Sequence, residues 1–159
     1  MKTIAENSIV WDNKVFLSKL SPKRFLAMQI TRQADYALRA MVYLAKLEPN
    51  KRAATSQIAE TKKIPPSFLA KIISQLSIAG LIHTSRGARG GVTLSRPANE
   101  ITILEVIEAI DGPIALNECT ISPEGCPFSG DCPIHDLWCD TQSDLVKKLR
   151  TTTFDTLSK

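Results

Sequence analysis

All four cysteines of this 159-residue chain lie in one short stretch, CTISPEGCPFSGDCPIHDLWC, which runs from Cys119 to Cys139. Six, five and six residues separate consecutive cysteines, and His135 follows the third cysteine by three residues. The intervening glycines and prolines favour turns and loops. Because a loop can curl its backbone round one centre, several thiolates can converge there. We interpret the stretch as a loop that binds a metal ion or an iron–sulfur cluster.

The same cysteines allow other interpretations. Free cysteines often pack as small apolar side chains, but loops rich in proline and glycine lie on the surface. Disulfides fit poorly, because nothing else indicates secretion and cytosolic thiols stay reduced. A tetrahedral zinc site is a serious alternative, since Cys₄ and Cys₃His are ordinary zinc ligand sets, although the close cysteine pairs usual for structural zinc are missing from this sequence. Wider spacings suit a larger centre, and thiolate-rich sites also hold iron–sulfur clusters.

Charge is distributed unevenly along the chain, although the formal net charge is only +4. Residues 28–97 contain 11 Lys and Arg against 3 Asp and Glu, whereas residues 98–159 contain 4 against 11. A basic segment followed by an acidic one indicates a nucleic-acid-binding module joined to a module with a different task. The sequence has no apolar run of the length that a membrane helix needs. We therefore expect a cytoplasmic protein that does not contact a membrane.

The chain divides into three segments. Residues 1–27 lack the continuous apolar region and the cleavage site of a signal peptide, and their role is uncertain. Because a well-patterned helix follows Met28 at once, we expect the functional chain to start there. The alternative is that residues 1–27 form an additional arm with basic residues such as Lys23 and Arg24. Residues 28–97 are predicted to bind DNA, and residues 98–159 are predicted to contain a linking helix, the cysteine loop and a dimerisation helix.

Apolar spacing predicts three helices in the basic segment. The first covers about 31–47, with Thr31 as its N-cap, and the second covers 57–62, capped by Thr55. The third covers about 66–79 and ends at Gly80. Two short helices joined by a tight turn are typical of a helix-turn-helix, in which the second is the recognition helix. Its predicted buried stripe comprises Phe68, Leu69, Ile72, Ile73 and Leu76.

Two short strands, 81–85 and 92–95, follow the third helix and predict a β-hairpin with a basic, glycine-rich tip. Such a hairpin after a recognition helix is a wing, and Arg86 and Arg89 at its tip suit phosphates or a narrow minor groove. We interpret His83 in the first strand as structural. The polar side of the recognition helix carries Ser67, Lys71, Ser74 and Gln75, of which the first two are expected nearest to DNA.

The acidic segment is predicted to be helical on both sides of the cysteine loop. One helix covers 102–110, and the last begins at Cys132–Pro133 and continues toward Phe154. The apolar residues of the last helix have little to pack against within one small chain, so we expect a two-fold homodimer that binds a palindromic operator. The expected fold class is mainly α with a small β-hairpin wing: a winged helix-turn-helix, a cysteine loop and a long C-terminal dimerisation helix.

Several stretches together resemble the IscR/NsrR-type (BadM-like) winged-helix transcription regulators: ITRQADYALRAMVYLAKL, SQIAETKKIPPSFLAKIISQLSIAGLI, SRGARGGVTLSRP, ITILEVIEAIDGP and the cysteine loop. The resemblance covers nearly all of the chain after residue 27. It implies a homodimer that binds double-stranded operator DNA and senses iron–sulfur status, nitric oxide or redox state. It also implies that Cys119, Cys126 and Cys132 are cluster ligands, and that Ser67 and Arg86 contact DNA.

The resemblance does not choose the fourth ligand. His135 matches the histidine of IscR-like members, whereas Asp35 matches the aspartate that nitric-oxide sensors of the family lend to the cluster of the other subunit. Cys139, one helical turn beyond His135, is a third candidate. Both [2Fe–2S] and [4Fe–4S] clusters therefore stay open, with zinc as the alternative.

We expect a DNA-binding transcriptional regulator, acting as a repressor, that senses its signal through a cysteine-ligated iron–sulfur cluster. The alternative is a zinc-stabilised or cluster-free winged-helix regulator. A small iron–sulfur redox protein is disfavoured by the wing and by the basic segment. An enzyme is not expected, because the sequence has no Ser-His-Asp grouping, no phosphate-binding P-loop and only two histidines.

Overall fold

The computed structural model describes residues 30–48, 51–87, 90–126, 128 and 131–158. The predicted leader, residues 1–27, and Arg89 of the predicted wing lie outside these residues. Within them the chain forms six α-helices and one two-stranded antiparallel sheet. None of the described helices combines the length and apolarity needed to cross a membrane.

The first three helices are present as predicted, and the second and third form the helix-turn-helix. Helix α1 is Arg32–Ala45, α2 is Thr55–Lys62 and α3 is Pro66–Ile78. The side chain of Thr31 caps α1 by accepting a hydrogen bond from the Ala34 N–H at 3.1 Å. The prediction that Thr55 caps α2 is wrong, because the helix starts at Thr55 itself. The Ala54 N–H before it donates to the side chain of Gln57 at 3.0 Å.

Helix α3 buries most of its predicted apolar stripe. Leu69, Ile72, Ile73 and Leu76 belong to the core, as expected from their helical spacing. Phe68 was also predicted there but is 47% exposed. It precedes the stripe by one residue, which rotates its side chain to the edge, where its ring meets the Tyr36 ring edge-on at a centroid distance of 6.2 Å.

The hairpin follows α3 as predicted. Strand β1, Ile82–Ser85, pairs antiparallel with β2, Gly91–Leu94, with Ile82 opposite Leu94 and Ser85 opposite Gly91. Ala53, just before α2, also pairs with Val92 through two backbone hydrogen bonds of 3.0 and 2.9 Å. The hairpin is thus attached by its backbone to the helix-turn-helix. A Cβ atom at Gly91 would lie 2.7 Å from the Ala53 carbonyl oxygen, so only glycine fits there.

Helix α4, Ile103–Asp111, packs against α1 and α3. Its N-terminus is a capping box: the Thr102 N–H donates to Glu105 at 2.8 Å, and the Glu105 N–H donates to the Thr102 hydroxyl at 3.2 Å. Glu105 also forms a 2.9 Å ion pair with Arg96. Partial burial raises the pKa of Glu105, but the hydrogen bonds from Thr102 and Arg96 outweigh it, so the pKa is lowered overall.

The last long helix, α5, is His135–Thr151. The predicted boundaries are wrong at both ends. At the start, Cys132 and Pro133 belong to a turn, in which the His135 N–H donates to the Cys132 carbonyl at 3.1 Å. At the end, Thr152 is extended. Its carbonyl accepts from the Ile103 N–H at 3.0 Å, which pulls the chain out of the helix and toward α4.

A short helix, α6 at Phe154–Leu157, follows this extended residue. Phe154 is 0% exposed and lies in the same core as the helix-turn-helix. By contrast, α5 contains no fully buried residue. Several of its apolar side chains, and those of the turn before it, are exposed: Ile134, Leu137 and Leu145.

Candidate cysteine site and nucleic-acid interface

Three of the four cysteines face one pocket between the loop and the start of α5. Cys119, Cys126 and Cys132 line a space of about 240 Å³, together with Phe128, Ile134 and Trp138 among others. All four cysteines are free thiols, and Cys119 is the buried one. The predicted ligand set therefore gathers at one place, with apolar and aromatic walls around it.

Each of these cysteines is positioned by a turn. Cys119 lies within a 3₁₀ turn, Glu118–Thr120, which starts where the Asn117 side chain accepts the Glu118 N–H at 2.9 Å. Cys126 follows a second 3₁₀ turn, Pro123–Gly125, and donates its N–H to the Pro123 carbonyl at 3.1 Å. Cys132 lies in the turn before α5. Turns of this kind bring side chains from three points of one loop to the same side.

The thiols influence one another electrostatically. Burial raises the pKa of Cys119, and negative charge on Cys126, Cys132 and Cys139 raises it further. Several thiolates in this place would therefore repel one another unless a bound cation compensated them. Among the described residues, no three His, Cys, Asp or Glu side chains are placed to hold a single metal ion. The three cysteines enclose a space rather than a point.

The three candidates for a fourth ligand are placed differently. His135 and Cys139 lie one turn apart on α5, with the Cys139 Sγ 3.6 Å from the His135 Nε2. The other ring nitrogen, Nδ1, is buried and has no hydrogen-bond partner among the described groups. Asp35 lies on α1, pairs with Arg39 at 2.9 Å and lines a different pocket, so one chain does not bring it to the cysteines.

One polar residue at the site was missed from the sequence. Gln142 on α5 accepts hydrogen bonds through its side-chain oxygen from the Leu116 N–H at 3.0 Å and from the Thr120 hydroxyl at 2.7 Å. These partners lie on either side of Cys119. They are 26 and 22 residues away from Gln142 in the chain. No local pattern signals such a contact.

The predicted DNA-contacting residues lie on the surface. Ser67, Lys71 and Ser74 are exposed on α3, and Arg86 is exposed where the chain leaves β1. Gln75 is instead half-buried, and its side-chain oxygen accepts a hydrogen bond from Gln33 of α1. It therefore ties α3 to α1 and is less available to DNA than predicted.

Comparison with known proteins now identifies the family. Residues 30–159 match the Rrf2 family, which is described as an iron-dependent transcriptional regulator. The chain belongs to the Rrf2 family. A protein of Mycobacterium tuberculosis named as an HTH-type transcriptional regulator, MT1325, is 35% identical over 127 residues, covering 79% of this chain and 78% of that protein. The sequence resemblance to winged-helix regulators is therefore confirmed.

Solved structures support the same fold. CymR of B. subtilis, titled the global cysteine regulator, matches with a TM-score of 0.70 and 27% identity, covering 83% of this chain and 97% of CymR. T. potens IscR matches with a TM-score of 0.66 over 82% of this chain and 87% of IscR, and at 22% identity it supports the fold alone. This Rrf2 member is accordingly a DNA-binding transcriptional regulator with a winged-helix fold, and not an enzyme.

Proposed function

We propose that this Rrf2 regulator is a cytoplasmic homodimer that senses iron–sulfur status, nitric oxide or redox state through an iron–sulfur cluster held by Cys119, Cys126 and Cys132. The main support is that these three side chains line one pocket. In this proposal residues 98–159 sense the signal and residues 28–97 bind operator DNA, with repression as the outcome.

The pocket has room for a group larger than one metal ion. A single zinc ion holds its four donors at about 2.0–2.3 Å from one point. A cluster contains several metal and sulfide atoms, so its thiolate ligands stand farther apart. Three thiols around an apolar space of about 240 Å³ fit that larger group. When bound, the cluster would supply chemistry that responds to oxygen, nitric oxide and iron supply.

The fourth ligand would come from His135 or from Asp35 of the other subunit. His135 has the advantage of position, since it follows Cys132 by one turn of chain and its Nδ1 lacks a hydrogen-bond partner among the described groups. The Asp35 side chain is 46% exposed and forms an ion pair with the exposed Arg39, which costs little to break. Cys139 is the third candidate, and its contact with His135 also makes it a neighbour of a histidine ligand.

DNA binding would use α3 and the wing. Ser67 and Lys71 near the start of α3 would face the major groove, and Arg86, with Arg89, would meet the backbone or minor groove. The exposed apolar side chains of α5 would be covered by the same helix of a second chain. Such pairing would fix the distance between two recognition helices, so a change in the cysteine loop could alter the match to operator half-sites.

The cluster is tested on protein purified without oxygen. Iron, sulfide, zinc and the absorption spectrum are measured on one sample of the wild type, of Cys126→Ala and of the matched cysteine variant Cys139→Ala. We expect a brown wild type with matching iron and sulfide, a colourless Cys126→Ala and a Cys139→Ala that keeps its iron. A colourless wild type with about one zinc per chain would contradict the cluster and support a structural zinc ion at this site.

The DNA interface is tested with Arg86→Ala and with Arg150→Ala, which removes the same charge from the exposed far end of α5. Binding is measured against salt concentration on an operator selected from random duplexes. We expect Arg86→Ala to weaken binding and to reduce the slope of log affinity against log salt by about 1. Arg150→Ala should leave both unchanged. Equal behaviour of the two variants would remove Arg86 from the interface.

A cluster-free regulator is the second candidate. The similarity to CymR, titled the global cysteine regulator of B. subtilis, supports a signal linked to cysteine instead of to a cluster. The measurement of iron, sulfide and zinc on the anaerobic sample separates the two candidates. A cluster-free regulator would contain none of the three and would still bind its operator.

A further inference from the structure

We infer that Gln142 is a positioning residue that holds Cys119 against the long helix before any metal is bound. Its side-chain oxygen accepts hydrogen bonds from the Leu116 N–H at 3.0 Å and from the Thr120 hydroxyl at 2.7 Å. Cys119 lies between these two residues. The role of this contact in metal binding rests on the proposed cluster, whereas the two hydrogen bonds are present in the structure itself.

The direction of these bonds is fixed by chemistry. A backbone N–H can only donate, so the atom of Gln142 that meets Leu116 must be the amide oxygen. The Thr120 hydroxyl has one proton and two acceptors within reach, the Asn117 carbonyl at 2.6 Å and the Gln142 oxygen at 2.7 Å. It donates to one of them at a time. The Leu116 bond is therefore the constant part of the contact and the Thr120 bond the variable part.

The other described hydrogen bonds of this segment are local. The Asn117 side chain accepts the Glu118 N–H, and the Glu118 carbonyl accepts the N–H groups of Ile121 and Ser122. They shape the turn that carries Cys119 but do not attach it to the remainder of the protein. Gln142 supplies that attachment, because it sits on α5, and α5 begins three residues after Cys132. Holding the Cys119 turn on α5 thus limits how far Cys119 can move from Cys132.

The residue type also suits the place. An amide oxygen accepts both hydrogen bonds without adding a negative charge beside the cysteines. Ligands that are positioned in advance lose less conformational freedom when metal binds, and residues behind the ligands typically change metal affinity by about 10- to 100-fold.

The first test uses metal-free full-length protein, in which alkylation of each cysteine by iodoacetamide is followed by peptide mass spectrometry. Gln142→Met keeps the size and helix propensity of the side chain but removes the acceptor. Gln142→Glu keeps an acceptor, and Ser143→Ala, at the exposed next position, is the control. We expect Cys119 to react about fivefold faster in Gln142→Met, the factor for one typical hydrogen bond. Cys139 should react at the same rate in the wild type, in Gln142→Met and in Ser143→Ala.

Rescue decides between positioning and a general loss of packing. In Gln142→Glu, Cys119 should react no faster than in the wild type, since the carboxylate oxygens still accept the hydrogen bonds and the added negative charge disfavours the reactive thiolate. If Cys119 reacts at one rate in the wild type and in Gln142→Met, or if every cysteine speeds up equally, Gln142 does not position Cys119. This result is independent of whether the protein holds a cluster.

The second test uses protein loaded anaerobically with ferrous iron and sulfide. Transfer of iron to a chelator is followed by absorbance, and we expect Gln142→Met to lose iron roughly 10-fold faster than wild type. An iron-free wild type would contradict the proposed function. The alkylation rates would still test whether Gln142 positions Cys119 in the metal-free protein. A loaded wild type and a Gln142→Met variant with equal loss rates would defeat the role in cluster binding instead.

Discussion

Phe154 should be the largest single contribution to stability from the C-terminal part of the chain. It lies beyond the long helix, yet its ring is 0% exposed in the core formed mainly by the helix-turn-helix. Its N–H also donates to the Ile101 carbonyl at 3.2 Å. Because the ring is surrounded by the core, its removal leaves a cavity that the neighbouring side chains fill only in part. Phe154→Ala should therefore cost about 3–5 kcal/mol. Domains of this size are stable by about 5–15 kcal/mol, so the loss would be roughly a fifth of the stability or more.

The measurement is urea unfolding of metal-free protein at one fixed protein concentration, because dimerisation would make stability depend on concentration. Phe154→Leu should cost less than about 1.5 kcal/mol, since it keeps most of the apolar volume. Phe128→Ala is the matched control: the same atoms are removed from a ring that is 71% exposed, and the cost should be small. A loss within about 1 kcal/mol for Phe154→Ala would refute the reasoning that α6 is part of the core.

Three further predictions concern local contacts. Glu105→Gln should destabilise the protein near neutral pH. The pKa of Glu105 is lowered from 4.5, so its contribution is present above pH 4.5 and lost as the pH falls through the folded value; unfolding curves of both proteins should therefore converge in acid. Asp111→Ala should cost roughly 0.5–1.5 kcal/mol in urea unfolding, because Asp111 accepts from the Thr31 N–H and hydroxyl at 3.3 and 2.7 Å; an unchanged midpoint would contradict it. Gly91→Ala should detach the hairpin from Ala53 and weaken DNA binding, whereas Gly80→Ala, with no atom within 4 Å of the added Cβ, should weaken DNA binding less.

The helices and the hairpin could be predicted because their signals are local. Apolar residues at helical spacing, Thr31 as a cap and glycines between two short strands each act within a few residues. The predicted helix boundaries were wrong where a contact between distant residues determines them. The end of α5 is set by the hydrogen bond between Thr152 and Ile103, which lie 49 positions apart in the sequence. Phe154 looked like the continuation of α5, but it belongs to another helix.

The cysteine site shows the same division. The gathering of three cysteines at one pocket could be predicted, because cysteine is rare in this chain and the four lie in one short stretch. The contact of Gln142 with this loop could not, since glutamine at position 142 is an ordinary surface residue by pattern and its partners are 22 and 26 residues away in the chain. Gln75 lies on the polar side of α3 as predicted, but its hydrogen bond with Gln33 of α1 could not be predicted, because Gln33 is 42 residues away in the chain.

These contacts also limit how a signal could travel within one chain. The segment that leads to the cysteine loop begins at Gly112, directly after Asp111, which is hydrogen-bonded to Thr31 at the start of α1. Helix α4 packs on both α1 and α3, and Gln33 joins α1 to α3. A displacement of the loop would therefore reach α3 through elements that share one core and move together. In the proposed function, a signal at the loop would shift the helix-turn-helix as a unit relative to a second subunit. It would change the spacing of two recognition helices rather than the structure of either one.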